Sequence, residues 1–95
     1  LEVALAAYRV EQRTSLKVGR IHSRWAGLRT FAPDRHPVAG FDPRAPGFFW
    51  LAGQGGFGLQ TSPVMALAAE SLIAGSAWPV DSVGPDQLAP DRFLA

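Results

Sequence analysis

The chain is 95 residues long, with a net charge of +1 and no cysteine. That length holds one domain at most, and a body of this size buries only about 60–65% of its unfolded surface. The nine lysines and arginines are interspersed with eight acids, which leaves no basic face for nucleic acid, and the missing cysteines exclude disulfides and a thiolate zinc site.

No run approaches the roughly 18 uninterrupted apolar residues of a membrane span, and no signal peptide is visible. The lack of cysteine fits a cytoplasmic origin. Charged residues make up 18% of the chain, below the usual ~25%, so part of its apolar surface is expected to lie against other structure. An exposed apolar face of that kind predicts a homo-oligomer or a missing N-terminal portion as its cover.

In chain order, Leu1 to about Thr14 places Val3, Ala6, Ala7, Val10 and Thr14 near helical spacing, with Arg9, Glu11, Gln12 and Arg13 on the wetter side, and reads as an amphipathic helix. From Lys17 to Phe31, Val18, Arg20, His22 and Arg24 alternate with Gly19, Ile21, Ser23 and Trp25, which predicts a long strand bent at Gly27. Ala32 to Pro37 is a turn. Pro37 to Phe41 and Gly47 to Ala52 read as short strands joined by a loop carrying Pro43 and Pro46, giving a three-stranded antiparallel unit. A last helix is expected over Pro63 to Ala74, with Thr61 or Ser62 as N-cap, Pro63 in the first position and Gly75 as its stop. Residues 76–95 read as an extended tail held by Trp78, Leu88 and Phe93.

Between the last strand and that helix lies the most informative run, Trp50-Leu51-Ala52-Gly53-Gln54-Gly55-Gly56-Phe57-Gly58-Leu59-Gln60. Its four glycines permit positive φ and a close backbone approach to a ligand, and the amides opening the helix point outward. It lacks the Gly-Lys-Ser/Thr of a phosphate loop and the spacing of a dinucleotide fingerprint. Glycines that serve geometry alone remain the alternative. His22 and His36 have no partner at metal-ligand or catalytic spacing, and Trp25, Phe48 and Trp50 read as core or as pocket lining.

Three segments taken together, Trp25-Ala-Gly-Leu-Arg-Thr-Phe-Ala-Pro-Asp34, Pro37-Val-Ala-Gly-Phe-Asp-Pro43 and Pro46-Gly-Phe-Phe-Trp-Leu-Ala-Gly-Gln-Gly-Gly56, resemble the C-terminal portion of the D-amino-acid oxidase superfamily of FAD-dependent oxidoreductases. The bacterial D-amino-acid dehydrogenase and glycine oxidase-like branch is the most similar. The resemblance covers about Leu1 to Ile73 and the Pro90-Asp91-Arg92-Phe93 stretch. Members of that family open with a strand and a Gly-x-Gly-x-x-Gly turn for the ADP half of FAD, which these residues lack, so the chain is expected to be a fragment: 1–75 from the oxidoreductase and 76–95 its tail.

The resemblance implies Arg29 and Gln54 as substrate-binding residues and Gly55, Gly56, Phe57, Gly58, Leu59 and Gln60 as flavin contacts. Arg29 would hold a carboxylate with its guanidinium fork. On the residues alone, Arg29 pairs with a carboxylate such as Asp34 or Asp42. The expected fold class is α+β, an α-β-β-β-α fragment with a short antiparallel sheet and two helices drawn from the substrate and FAD domains. Two functions follow as expectations. One is a piece of an FAD-dependent oxidoreductase acting on the C–N bond of an amino acid or related amine, inactive and without FAD as an isolated chain. The other is a non-enzymatic remnant that oligomerises or binds a partner through its apolar face.

Overall fold

The computed structural model describes residues 1–94. Helix α1, Glu2–Arg13, comes first; strands β1, Val38–Phe41, and β2, Phe49–Ala52, form an antiparallel pair; helix α2, Gly58–Ala74, follows, and two 3₁₀ turns, Pro85–Gln87 and Pro90–Phe93, lie beyond it. The class is the expected α+β. In the hairpin Val38 faces Ala52, Ala39 Leu51, Gly40 Trp50 and Phe41 Phe49. Phe41 and Phe49 pack edge to face across the strands at 5.0 Å, an arrangement that aromatic pairs prefer.

α2 lays one face on β1. Met65, Ala68 and Ala69 are buried on it, with Leu72 packed one turn on, which is the i, i+3, i+4, i+7 spacing of a single helical stripe. Ala39, Met65 and Leu88 form the core, and Leu72, Trp78 and Val83 close around it. The residues after α2 are therefore folded rather than extended. Leu88 enters the core, its carbonyl accepts from the Ala39 N–H at 2.9 Å, and the Trp78 indole donates to the Val83 carbonyl at 2.7 Å. Phe93 keeps 41% exposure with the Arg92 guanidinium 4.3 Å from its ring centroid.

α2 begins five residues earlier than the sequence predicts, and neither Thr61 nor Ser62 is its N-cap; Phe57 holds that place and makes no side-chain cap. Pro63 consequently lies inside the helix, where its missing N–H leaves the Leu59 carbonyl without its normal donor. The Ser62 hydroxyl donates to that carbonyl at 2.9 Å, so the proline is tolerated. At the other end Gly75 adopts φ 75°, the left-handed stop expected of a glycine there.

The long strand expected over Lys17 to Phe31 is not formed. Residues 16–30 carry no helix or strand, and the three-stranded unit reduces to the β1–β2 hairpin plus one isolated bridge between Phe31 and Gln54. Alternation marks a two-faced segment, but a strand exists only where a neighbouring strand takes up its N–H and C=O groups, and among the described residues no backbone group bonds to those of 16–29. α1 likewise spans the expected helix, yet buries no residue. The Val18 N–H donates to the Glu11 carboxylate at 2.9 Å, holding the start of the arm to the helix. The chain measures 51 × 26 × 20 Å. Its radius of gyration is 18.1 Å, against about 12 Å for a compact body of this length, because α1 and the 16–30 arm project from the hairpin and α2.

Candidate functional site

The turn between β2 and α2 is built by backbone geometry. The chain leaves β2 through Gly53 at φ 72°, pairs at Gln54 with Phe31, and turns at Gly55 with φ 57°. The Gly55 N–H donates to the Thr30 carbonyl at 3.0 Å, and the Phe57 N–H returns to the Gln54 carbonyl at 3.1 Å. A Cβ on Gly55 would fall 2.6 Å from the Phe31 ring, so this position requires glycine on both conformational and steric grounds. Two of the four glycines, Gly53 and Gly55, use positive φ; Gly56 and Gly58 do not.

These two bonds bring the predicted site residues together. Arg29, next to Thr30, reaches over the turn, and a Cβ on Gly56 would stand 3.0 Å from its Nη1 atom; Gly58 faces the Gln54 side chain at 3.2 Å by the same measure. Arg29, Gln54, Gly55, Gly56 and Gly58 thus surround one small patch of backbone. Phe57, Leu59 and Gln60 lie on its rim, exposed. The first turn of α2 has no side-chain cap and no acidic residue, so the amides of Gly58, Leu59 and Gln60 and the positive end of a 17-residue helix face outward at the same place. That donor set suits a carboxylate or another electron-rich edge.

The pairing of Arg29 with Asp34 or Asp42, left open by the sequence, is not formed. Asp34 accepts from Arg92 Nε at 2.8 Å and Nη2 at 3.2 Å, and Asp42 accepts from Arg44 Nε and Nη2 and from the Trp50 indole at 3.1–3.2 Å. Among the described residues Arg29 has no carboxylate partner. No cluster of metal-ligating side chains occurs among them either. A groove of 340 Å³ adjoins the turn at Thr30 and Gly53 and is lined further by Phe31, Val38, Trp50 and Pro90. Arg29 and Gln54 stand outside it, so the groove is neighbour to the site and not its mouth.

Two supporting groups, Phe31 and Arg92, lie in the resembling segments, where the resemblance gives them no role. Phe31 walls the turn. Arg92 donates to Asp34, to the carbonyls of His36 and Pro37 at 3.1 and 3.0 Å, and to the Ala89 carbonyl at 3.0 Å, tying the loop before β1 to the last 3₁₀ turn. Only the partners' spatial proximity, 55 to 58 residues apart in sequence, gives Arg92 this role.

The guanidinium of Arg92, with the His36 N–H, lowers the Asp34 carboxyl from its ordinary 3.8 to about 2. A carboxyl depressed in the folded state contributes stability above its ordinary value and loses it as pH falls through the folded value. The Arg92 Nε–H resonance is therefore expected to hold its bonded position down to about pH 4 and to shift with a midpoint near pH 2, the Asp34→Asn variant losing that step. A midpoint near 3.8 would mean the clamp does not form in solution. Asp42 is held well below the carboxylate range by Arg44 first and then by the Trp50 indole, and Arg44 is raised in turn.

Comparison with known proteins bears on what this patch belongs to. Over an alignment 95 residues long that covers 97% of this chain, the chain is 34% identical to the tRNA 5-methylaminomethyl-2-thiouridine biosynthesis bifunctional protein MnmC of Maricaulis maris (strain MCS10). It spans 16% of that relative's length. The family described as FAD dependent oxidoreductase (DAO) matches residues 3–72, a range that contains Arg29, Gln54 and the whole glycine turn. The chain belongs to the FAD-dependent oxidoreductase family.

Proposed function

We propose that this chain contributes part of the substrate and flavin site of an enzyme that oxidises the C–N bond of a carboxylate-bearing amine, as in the glycine oxidase-like and D-amino-acid dehydrogenase branch. The observation that carries the reading is Arg29, free of any described carboxylate, lying across Gly56 beside the uncapped start of α2. FAD fits what is present, because the turn leaves bare backbone where a Cβ would intrude and offers amide donors with no competing acid. Bound FAD would supply the acceptor for the hydride leaving the substrate carbon.

In this reading the residues of the chain bind and orient. Arg29 holds the substrate carboxylate in a bidentate fork. Gln54 sits beside the substrate. The backbone of Gly55, Gly56 and Phe57 would give close approach to a bound flavin, and the amides of Gly58, Leu59 and Gln60 would favour negative charge on it. The MnmC relative is named for a tRNA modification, which favours an amine carried on tRNA as the physiological substrate.

The test is to purify the protein expressed from its whole reading frame and add glycine, or tRNA that carries a carboxylate-bearing amine, under anaerobic conditions. A yellow protein whose colour bleaches on adding an amine is expected. A colourless, self-associating protein would support the second reading, an oligomerising remnant, which the exposure of Trp25, Leu28 and Leu59 at 87%, 105% and 93% favours.

A further inference from the structure

The near-neutral whole conceals a division of charge along the chain. Seven of the nine lysines and arginines lie between Arg9 and Arg35, where the only acids are Glu11 and Asp34, a local net charge of +5. From His36 onward Arg44 and Arg92 face Asp42, Glu70, Asp81, Asp86 and Asp91, a net charge of −3. The acids in and beside the basic half are engaged by other groups. Asp34 is taken by Arg92 and Asp42 by Arg44, and the Glu11 carboxylate accepts the Val18 N–H. Arg9, Arg13, Lys17, Arg20 and Arg24 consequently have no carboxylate partner among the described residues. They recur every three or four positions from the end of α1 into the arm, and every residue from Gln12 to Phe31 is exposed. Trp25, beside Arg24, is 87% exposed.

Cations at regular intervals along an exposed segment, with an open aromatic ring among them, match the chemistry of an unpaired nucleic-acid strand. The cations meet phosphates, and the indole offers a face on which a base can stack. We propose that Lys17, Arg20, Arg24 and Trp25 form a contact strip for a single-stranded loop of RNA. It would hold the RNA while the carboxylate-bearing amine reaches Arg29, four residues beyond Trp25. The inference rests on the reading of a tRNA-borne amine proposed above.

The experiment measures anisotropy of a fluorescently labelled, in-vitro-transcribed tRNA bound to the whole protein at low and moderate salt. The triple variant Lys17→Gln/Arg20→Gln/Arg24→Gln is expected to bind about 10–100-fold more weakly at low salt, with the slope of log K against log[salt] reduced by about 2. Trp25→Ala is expected to lose about tenfold with the slope unchanged, because stacking releases no counterions. Lys17→Arg/Arg20→Lys/Arg24→Lys, which keeps the charge, should bind within about threefold of the parent and separates charge from folding. Glycine-dependent bleaching in the Gln variant should match the parent. If tRNA binds and the Gln variant binds equally well, the strip is wrong and the tRNA-borne substrate stands. If the parent binds no tRNA yet is bleached by glycine, both the strip and the tRNA reading fail while amine oxidation stands. Capture by anionic lipid vesicles without tRNA binding would also overturn the proposal.

Discussion

Arg29→Ala in the whole protein should raise KM for an amino-acid substrate by about 30-fold or more, because removing one partner of a desolvated charge-assisted pair costs about 2–5 kcal/mol. Steady-state kinetics with glycine checks it. Arg29→Lys should recover only part of the loss, since an ammonium keeps the charge but not the planar fork. The effect belongs in KM if the carboxylate is held equally in ground and transition states, and it spreads into kcat if the fork also sets the angle of the reacting carbon. Unchanged constants in both variants would leave Arg29 with no part in binding.

The second large effect separates two adjacent glycines. Gly55→Ala places a side chain at φ 57° and drives its Cβ to 2.6 Å from the Phe31 ring. Left-handed strain and overpacking together should cost about 2–4 kcal/mol, read as a lowered midpoint in denaturant and a loss of bound flavin. Gly56→Ala has neither problem in its backbone. Its Cβ meets only the Arg29 guanidinium at 3.0 Å, the far end of a flexible side chain. Stability should change little there, while KM rises because Arg29 is pushed aside. If the two variants behaved alike, the turn would have a different shape from the one described.

What was legible in the sequence, and what was not, follows from the range of the interactions. α1 was readable because its apolar spacing is local, and β1 and β2 because a loop with two prolines separates two short apolar runs. The start of α2 was misplaced because Ser-Pro is a strong local signal for a helix start, whereas the actual start depends on a glycine turn fastened to Thr30 and on the Ser62 hydroxyl serving the Leu59 carbonyl. The 16–30 arm was misread because alternation describes the two faces of a strand and says nothing about whether a neighbour exists. Arg29, Gln54 and the glycines became candidates through family likeness, and the geometry adds why they converge: the Gly55–Thr30 bond carries Arg29 to the turn. Arg92 and Asp34 were invisible, since nothing in either local sequence marks a pair 58 residues apart. Net charge also hid the segregation of cations, because an average over the chain cannot report where the acids are engaged.

The core joins Ala39 and Met65 to Leu88, and Arg92 fastens the loop before β1 to the last 3₁₀ turn. On the ribosome, where residues are added at about 5–20 per second and domains fold as units, the hairpin and α2 emerge before the pieces that complete them. Ala39 and Met65 must wait for Leu88, so the nascent chain passes through a window of a few seconds in which the hairpin's backbone and the α2 stripe are open to solvent. A slow codon or a stalled ribosome anywhere between Gly75 and Leu88 would lengthen that window. Synthesis rate along those few positions, rather than the strength of the finished contacts, would then govern how much of the protein escapes aggregation.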